Sequence, residues 1–302
     1  MPGIPMLKNR KIVTRISLSA ESGEFDGGNG RDVILEDYRA TAEITDISWY
    51  SGGELSMRIY GVPPEVMNKL STLGITQSLV PKNTISVLAG EVDDKGQGSL
   101  SEVYAGTIKS AHADYSAQPN VSLALEATAG FFEGQKRVPP TTYRGDMKVA
   151  DSIKVLTEEM GWTFVNDGVD TVLRDVHVEG SAVGQIHDLA RAAGIACIMS
   201  MNTVTISPYN GITTATPVEI SPETGLIGYP AFASGGIAAN TLFNPAIRAG
   251  GKIKLTTSVP QAKGEFNVQF VQHQISCEMP DGPWMTNVYA NHNDYYMAGR
   301  YD

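Results

Sequence analysis

Histidine and cysteine side chains are the groups in this sequence best able to bind a metal ion or act as nucleophiles. The five histidines are scattered through different predicted elements: His112, His177, His187, His273 and His292. On a strand, His273 and Cys277 would share one face, but at ~3.3 Å per residue their backbones would lie about 13 Å apart. One zinc ion with ligands at about 2 Å cannot bind both. We therefore predict no metal site and no cofactor.

Phosphate-binding and nucleophile motifs are also missing from the sequence. It contains no G-x-S-x-G elbow and no Walker loop. The cluster Gly27-Gly28-Asn29-Gly30 lacks the following Lys-Ser/Thr pair and leads into an apparent strand at 31–34, which predicts a hairpin loop. Adjacent carboxylates at Glu158 and Glu159 would diverge by about 100° on a helix, so they indicate a solvated face. We predict that the chain is not an enzyme.

Two further motifs have simpler interpretations than the functions that they suggest. Arg144-Gly145-Asp146 spells a cell-adhesion tripeptide, but Asp146 is placed to cap the helix predicted after it. His187 lies beside the apolar stripe of another predicted helix, which favours a partly buried, hydrogen-bonded side chain over a metal ligand.

The composition indicates a folded, acidic protein. Of its 302 residues, 42% are hydrophobic and 19% are charged, and the formal net charge is −10. This charge argues against a nucleic-acid-binding surface, although not against a wall along which nucleic acid slides. We expect the two cysteines, Cys197 and Cys277, to be buried free thiols.

No part of the sequence predicts a membrane helix or a secretory signal. Prolines and cations interrupt the first residues. The charge-free run from Gly225 to Ile247 is long enough to span a bilayer, but its glycines and prolines predict a loop and a pair of strands. We expect a soluble protein made in a cytoplasm, without stable membrane association.

The elements that must position any site fall into three parts, which predict an α+β, mainly β fold. Residues 1–138 alternate with a period of two, as in half-buried antiparallel strands, with one helix at about 63–73. Residues 139–210 contain two helices, each followed by a glycine and a strand, the glycines being Gly161 and Gly194. Residues 211–302 return to strands, with Phe266, Val268 and Phe270 expected to face inward. We predict two antiparallel β-barrels or sandwiches flanking a small α/β domain.

Three blocks of sequence resemble one known family. The clearest runs from an Asn-Pro turn at 244–245 through a Gly-Gly turn at 250–251 and a strand at 264–275 to Trp284, which begins a final strand. The Pro63-Pro64-Glu65 helix start and the segment 173–181, Leu-Arg-Asp-Val-His-Val-Glu-Gly-Ser, fit the same pattern. In this order, the blocks resemble the baseplate hub proteins of contractile-tailed bacteriophages, a family shared with phage-derived contractile bacteriocins.

The resemblance implies a structural protein of the virion, assembled in the host bacterial cytoplasm. A hub of this family is a homotrimer whose two tail-tube-like barrels per subunit form a pseudo-hexameric ring. The expected partners are the tail tube protein, the central spike protein and the baseplate wedge proteins, with DNA passing only in transit through the channel. The ring would join the hexameric tail tube to the trimeric spike.

Aromatic residues near the C-terminus are the candidates for contacts with partners. Tyrosine and tryptophan are enriched at interfaces. The candidates are Trp284, Tyr289, Tyr295, Tyr296 and Tyr301, with Trp284 equally interpretable as a core anchor.

Other functions remain open at the level of sequence. A tail-tube or tube-initiator protein is the closest alternative, although the α/β insert argues against it. From other classes, a hydrolase or a carbohydrate-binding module could be built on the α/β domain, with Asp175, His177, His187 and Asp188 as the candidate titratable groups.

Overall fold

The fold is mainly β, as predicted, with 54% of the described residues in strands and 16% in helices. The computed structural model describes residues 9–25, 30–47, 52–71, 81–208, 215–233 and 235–292. No helix within these ranges is long and apolar enough to cross a membrane.

The elements form a first β region (β1–β7 with α1), a middle α/β region (α2–β14) and a second β region (β15–β20). The elements of the first region are β1 Asn9–Ser17, β2 Asp32–Leu35, β3 Ala40–Ile47, β4 Glu54–Tyr60, α1 Pro64–Leu70, β5 Thr84–Val92, β6 Gly98–Asp114 and β7 Ser122–Thr128. Those of the middle region are α2 Phe131–Gln135, β8 Arg137–Thr142, β9 Asp146–Lys148, α3 Val149–Glu159, β10 Thr163–Asn166, β11 Val172–Arg174, β12 His177–Ser181, α4 Ala182–Ala193, β13 Ile195–Ser200 and β14 Thr203–Pro208. Those of the second region are β15 Val218–Ile220, β16 Leu226–Ala233, β17 Gly236–Leu242, β18 Lys252–Leu255, β19 Gly264–Cys277 and β20 Trp284–His292.

One sheet of 13 strands joins the two β regions. Its order is β16-β17-β20-β19-β3-β4-β7-β6-β5-β1-β2, with β18 also paired to β19, and β15 paired to β18. The link is the antiparallel pairing of β19 with β3, which runs from Phe270 opposite Ile47 to Cys277 opposite Ala40. Strands more than two hundred residues apart therefore share backbone hydrogen bonds.

A β-bulge in β19 corrects one prediction. Phe266 and Val268 are buried as expected, but the register against β20 shifts between Val268 and Phe270. Because an extra residue in a strand reverses the faces of the side chains that follow, Phe270 is only half-buried, and Val271 takes the inward position. The reversal lies where β19 passes from its pairing with β18 to its pairing with β3.

The two helix–glycine–strand units of the middle region form as predicted. Ser181 caps α4 by accepting a hydrogen bond from the Gly184 N–H at 3.1 Å. Gly161 and Gly194 both adopt positive φ, at 76° and 63°, which suits glycine after a helix. The strands that follow, β10 and β13, flank β14 in a three-stranded sheet.

Two predicted helix boundaries differ from the structure. The helix expected at about 63–73 ends at Leu70, because Ser71 is extended and its hydroxyl donates to the Met67 carbonyl at 2.7 Å. Asp146 does not cap α3. It belongs to β9, and Lys148 precedes the helix without a side-chain capping bond.

Hydrophobic residues form three clusters that follow the three regions. The first cluster is centred on β1, β4, β5 and β7, the second on α3, α4, β13 and β14, and the third on β17, β18, β19 and β20. Ile275, Cys277 and Trp284 of the second β region nevertheless belong to the first cluster. Both cysteines are buried and free, as predicted.

Candidate functional site

The face of the large sheet turned away from the hydrophobic clusters carries rows of polar side chains. One row crosses five strands through directly opposed positions, and its members are Gln274, Glu43, Ser56, Glu126 and Ser110. The next row joins Asn287, Gln272, Thr45, Glu54 and Thr128. We call these two rows the polar face. It runs without interruption from the second β region onto the first.

Hydrogen bonds order the middle of the polar face. Asn287 Nδ2 donates to Gln272 Oε1 at 2.9 Å, and Gln272 Nε2 donates to Glu43 Oε1 at 2.8 Å. Ser110 Oγ donates to Glu126 Oε2 at 3.2 Å. The chain of bonds crosses the β19–β3 pairing, so it fixes side chains of both β regions relative to each other.

The charge on the polar face is predominantly negative. Glu43, Glu54 and Glu126 are exposed on adjacent strands. Together with Lys109 they line a shallow groove of about 220 Å³. Three carboxylates against one ammonium group make this surface unfavourable for a phosphate backbone.

The Asn-Pro and Gly-Gly turns lie at the junction of the three regions. Asn244 Oδ1 accepts from the Ala246 N–H at 3.0 Å, which closes the first turn. Gly250 has a φ of 75°, and its N–H donates to the Val268 carbonyl at 2.8 Å. A Cβ at this position would lie 2.1 Å from Ile198 Cδ1 of β13. The positive φ therefore favours glycine, and a larger residue would also displace the Ile198 methyl group of the middle region.

A cavity of about 500 Å³ opens beside this junction, lined by β3, by β10, β13 and β14, and by the 246–251 loop. Arg248 of the loop donates from Nη2 to the Glu102 carbonyl at 3.0 Å, and its Nη1 contacts Met201 Sδ. The Asp46 Oδ1 atom at the end of β3 is buried and has no hydrogen-bond partner among the described residues. Burial raises the pKa of Asp46 to about 6, although Ser200 and Arg248 act to lower it.

Trp284 lies inside the chain. It is 5% exposed and packs against Phe243 in a tilted arrangement with the ring centroids 4.7 Å apart, and Phe243 in turn meets His273 edge-on at 5.5 Å. The Arg10 guanidinium lies 5.7 Å from the Trp284 ring. This packing favours the core-anchor interpretation of Trp284.

Of the tyrosines predicted to contact partners, the structure describes Tyr289. Tyr289 is half-buried on β20, opposite Phe270 and Ala238, on the face away from Trp284. Tyr295, Tyr296 and Tyr301 lie outside the described residues. Their role at an interface stays a prediction.

The candidate ligand residues are dispersed. His273 is buried with Nδ1 at 2.9 Å from Thr286 Oγ1, and burial lowers its pKa to about 4. His187 is half-buried on α4, and burial lowers its pKa as well. Over the described ranges, no group of three or more His, Cys, Asp or Glu residues could hold a metal ion.

Comparison with protein families gives a match over most of the chain. Residues 65–285 match the family described as baseplate hub gp41. The chain belongs to this baseplate hub family. It is a structural protein of the phage tail, as the sequence blocks around 244–289 predicted. No curated protein matches the sequence.

Several solved structures share this fold. A tail protein from Neisseria meningitidis MC58 superposes with a TM-score of 0.62 at 10% identity, covering 94% of this hub chain and 98% of its own. The 43 kDa tail protein of prophage MuSo2 from Shewanella oneidensis gives 0.59 at 8% identity, covering 95% and 98%. The E. coli c3393 protein, a type VI secretion component described as similar to the T4 tail proteins gp27 and gp5, gives 0.54 at 9% identity, covering 96% and 75%. The hub fold is thus shared between phage tails and a contractile injection system.

Sequence patterns alone did not predict the polar face. In each of β3, β4 and β7, the alternation of buried and exposed residues puts a glutamate on the exposed side of the strand, and this much could have been predicted from the sequence. That these glutamates lie side by side depends on strand pairing between residues as distant as 43 and 274, and no local pattern specifies it.

Proposed function

We propose that this hub protein is a homotrimer that joins the hexameric tail tube to the trimeric central spike and lines the channel for DNA. Three chains, each with two β regions, would supply six β units to one ring. The ring could then match the six-fold symmetry of the tail tube on one side and the three-fold symmetry of the spike on the other.

The continuous sheet is the observation that carries this proposal. The pairing of β19 with β3 fixes the two β regions in one sheet with one shared polar face. A ring built from such sheets would present that face around a channel. Its exposed Glu43, Glu54 and Glu126 would keep phosphate groups from adhering during passage.

The partners follow from the place of the hub in the baseplate. We propose contacts with the tail tube protein, the spike protein and the baseplate wedge proteins, in a particle assembled in the host cytoplasm. The likeness of the c3393 protein to both gp27 and gp5 supports a spike neighbour. The family supports a structural role without catalysis. We also retain as a proposal the division into domains at 1–138, 139–210 and 211–302.

The oligomeric state tests the proposal directly. The purified chain is measured by light scattering over a concentration series, with and without the spike protein, and the same fractions are imaged by negative stain. We expect a mass of three subunits and a ring with a central hole. A monomer that stays monomeric when the spike is added would contradict the hub trimer.

A further inference from the structure

One row of side chains beside the polar face is apolar. It crosses five strands through directly opposed positions, and its members are Ile47, Phe270, Tyr289, Ala238 and Ala231. We call these residues the apolar row. Phe270 and Tyr289 are each two residues from a member of the polar face, Gln272 on β19 and Asn287 on β20, so the apolar row and the polar face lie on the same side of the sheet.

The apolar row is accessible and carries no charge. Ile47 is 37% exposed, Ala231 is exposed, and the other three members are half-buried. Directly opposed side chains are close enough to touch, so the row is one band and not a set of isolated residues. On β19 and β20 it is bordered by uncharged amides on both sides, which are Gln272, Asn287, Asn267 and Asn291. A continuous apolar band of this kind marks an interaction surface.

The segment that follows β20 begins next to the apolar row. β20 ends at His292, three residues beyond Tyr289. Residues 293–302 read NDYYMAGRYD, with two tyrosines and a methionine in succession. Ten extended residues reach about 33 Å. The strands of Tyr289 and Ile47 are two strand spacings apart, about 10 Å. The segment is therefore long enough to turn back and cover the row.

The charges of the segment match the surroundings of the apolar row. Residues 295–299 carry no charge, like the row itself, and the one cation of the segment is Arg300. Beyond the Ile47 end of the row, the exposed Glu54 lies on β4 opposite Thr45. A segment that runs from β20 towards β3 would bring Arg300 to this carboxylate, and opposite charges attract.

We propose that residues 293–302 dock on the apolar row of their own chain, with Tyr295, Tyr296 and Met297 as the anchoring side chains. The covalent link holds the segment near the row at a high effective concentration, an advantage that a separate molecule does not have. The inference goes beyond the hub function and does not depend on the trimer. Where the polar face lines a channel, the docked segment would cover the apolar band along its border.

Hydrogen exchange of the full-length chain, followed by mass spectrometry, tests the docking. We expect the amides of 293–302 to exchange at least about tenfold more slowly than in a free peptide of the same sequence. Phe270→Ser should abolish this protection. The matched control is Leu242→Ser, because Leu242 is 55% exposed on the same side of the sheet but lies in the row of Gln274. Circular dichroism confirms that both variants fold. Exchange at the free-peptide rate in wild type, or protection that survives Phe270→Ser, would overturn the docking.

Cross-linking determines whether the segment docks on its own chain. A full-length chain with Ile47→Cys and Tyr296→Cys is treated with a short bismaleimide. Cys197 and Cys277 are buried, so wild type provides the background. We expect a link within one chain. The control combines Tyr296→Cys with Gln261→Cys, an exposed position just before β19 and outside the row, and should link at least about tenfold more slowly.

The outcomes separate the docking from the hub function. Equal rates in the two cysteine pairs would show that the segment does not prefer the apolar row. A link formed only between chains would assign the row to a second copy, and either result would overturn the proposal. A trimer whose segment is unprotected would overturn the docking but not the hub, and a monomer with a protected segment would support the docking and contradict the trimer.

Discussion

At the scale of single residues, the buried carboxyl group of Asp46 makes stability depend on pH. Its pKa rises from 3.8 to about 6 in the folded chain, so folding favours the protonated form. This contribution to the free energy of unfolding is therefore complete below about pH 4 and is lost as the pH rises through about 6. The loss amounts to about 3 kcal/mol at most. Asp46→Asn removes this dependence, and we expect it to be more stable than wild type at pH 8.

Chemical denaturation from pH 4 to 8 measures this effect. Glu159→Gln makes the same change in net charge at an exposed position and serves as the control. If Asp46→Asn and wild type keep the same difference in unfolding free energy at every pH, the carboxyl group does not titrate in the way described.

His273 makes the stability depend on pH in the opposite direction from Asp46. Burial lowers its pKa from 6.5 to about 4, so the unfolded chain takes up a proton that the folded chain rejects. The free energy of unfolding should then fall by about 3 kcal/mol as the pH drops from above 6.5 to about 4. Between pH 4 and 6 the two groups partly cancel in wild type.

Single variants separate the two contributions. We expect His273→Gln to lose the fall in stability at low pH, and the exposed His177→Gln to retain it. An imidazole proton of His273 that titrates near pH 6.5 by NMR in the native protein would contradict its burial in the neutral form.

At the scale of elements, the turn at Gly250 positions the second β region on the middle region. We expect Gly250→Ala to destabilise the chain for two reasons: alanine is strained at the positive φ, and its Cβ would meet Ile198. Gly168→Ala is the matched control, because Gly168 has a φ of 88° but no atom within 4 Å of its Cβ position. The overpacking should make Gly250→Ala less stable than the control by about 1–3 kcal/mol.

A double-mutant cycle identifies the contact. Ile198→Val removes the Cδ1 atom that the new Cβ would meet, so the pair should recover part of the loss. Thermal unfolding of the four proteins provides the values. Purely additive effects would show that the loss comes from the backbone alone.

The same elements show how far sequence reasoning reaches. The helix ends at Gly161 and Gly194 and the Ser181 cap depend on neighbouring residues, so they could be predicted. The bulge that turns Phe270 outward could not be predicted. A prediction from alternation assumes one residue per position along the strand, and a bulge inserts an extra residue without a sequence signal. The burial of Trp284 against Phe243 and the β19–β3 pairing depend on contacts across the whole chain, which local periodicity does not contain.

At the scale of the whole molecule, the placement of charge distinguishes a channel wall from an outer surface. If the polar face lines a ring, reversing its charge should create a site for DNA only inside the ring. We therefore consider Glu43→Lys, Glu54→Lys and Glu126→Lys combined in one chain. The control combines Glu159→Lys, Glu179→Lys and Glu223→Lys, which makes the same change in net charge at exposed positions elsewhere.

The topology of the DNA supplies the decisive measurement on assembled trimers. A linear duplex can thread a closed ring, whereas a closed circular duplex cannot. We expect the polar-face variant to retain linear DNA, with an affinity that falls steeply as salt rises, and not to retain circular DNA. Wild type should retain neither, because its carboxylates repel phosphate. Equal retention of both forms by the polar-face variant would place these glutamates on the outside of the trimer. Equal binding by the control would show that net charge alone accounts for the effect.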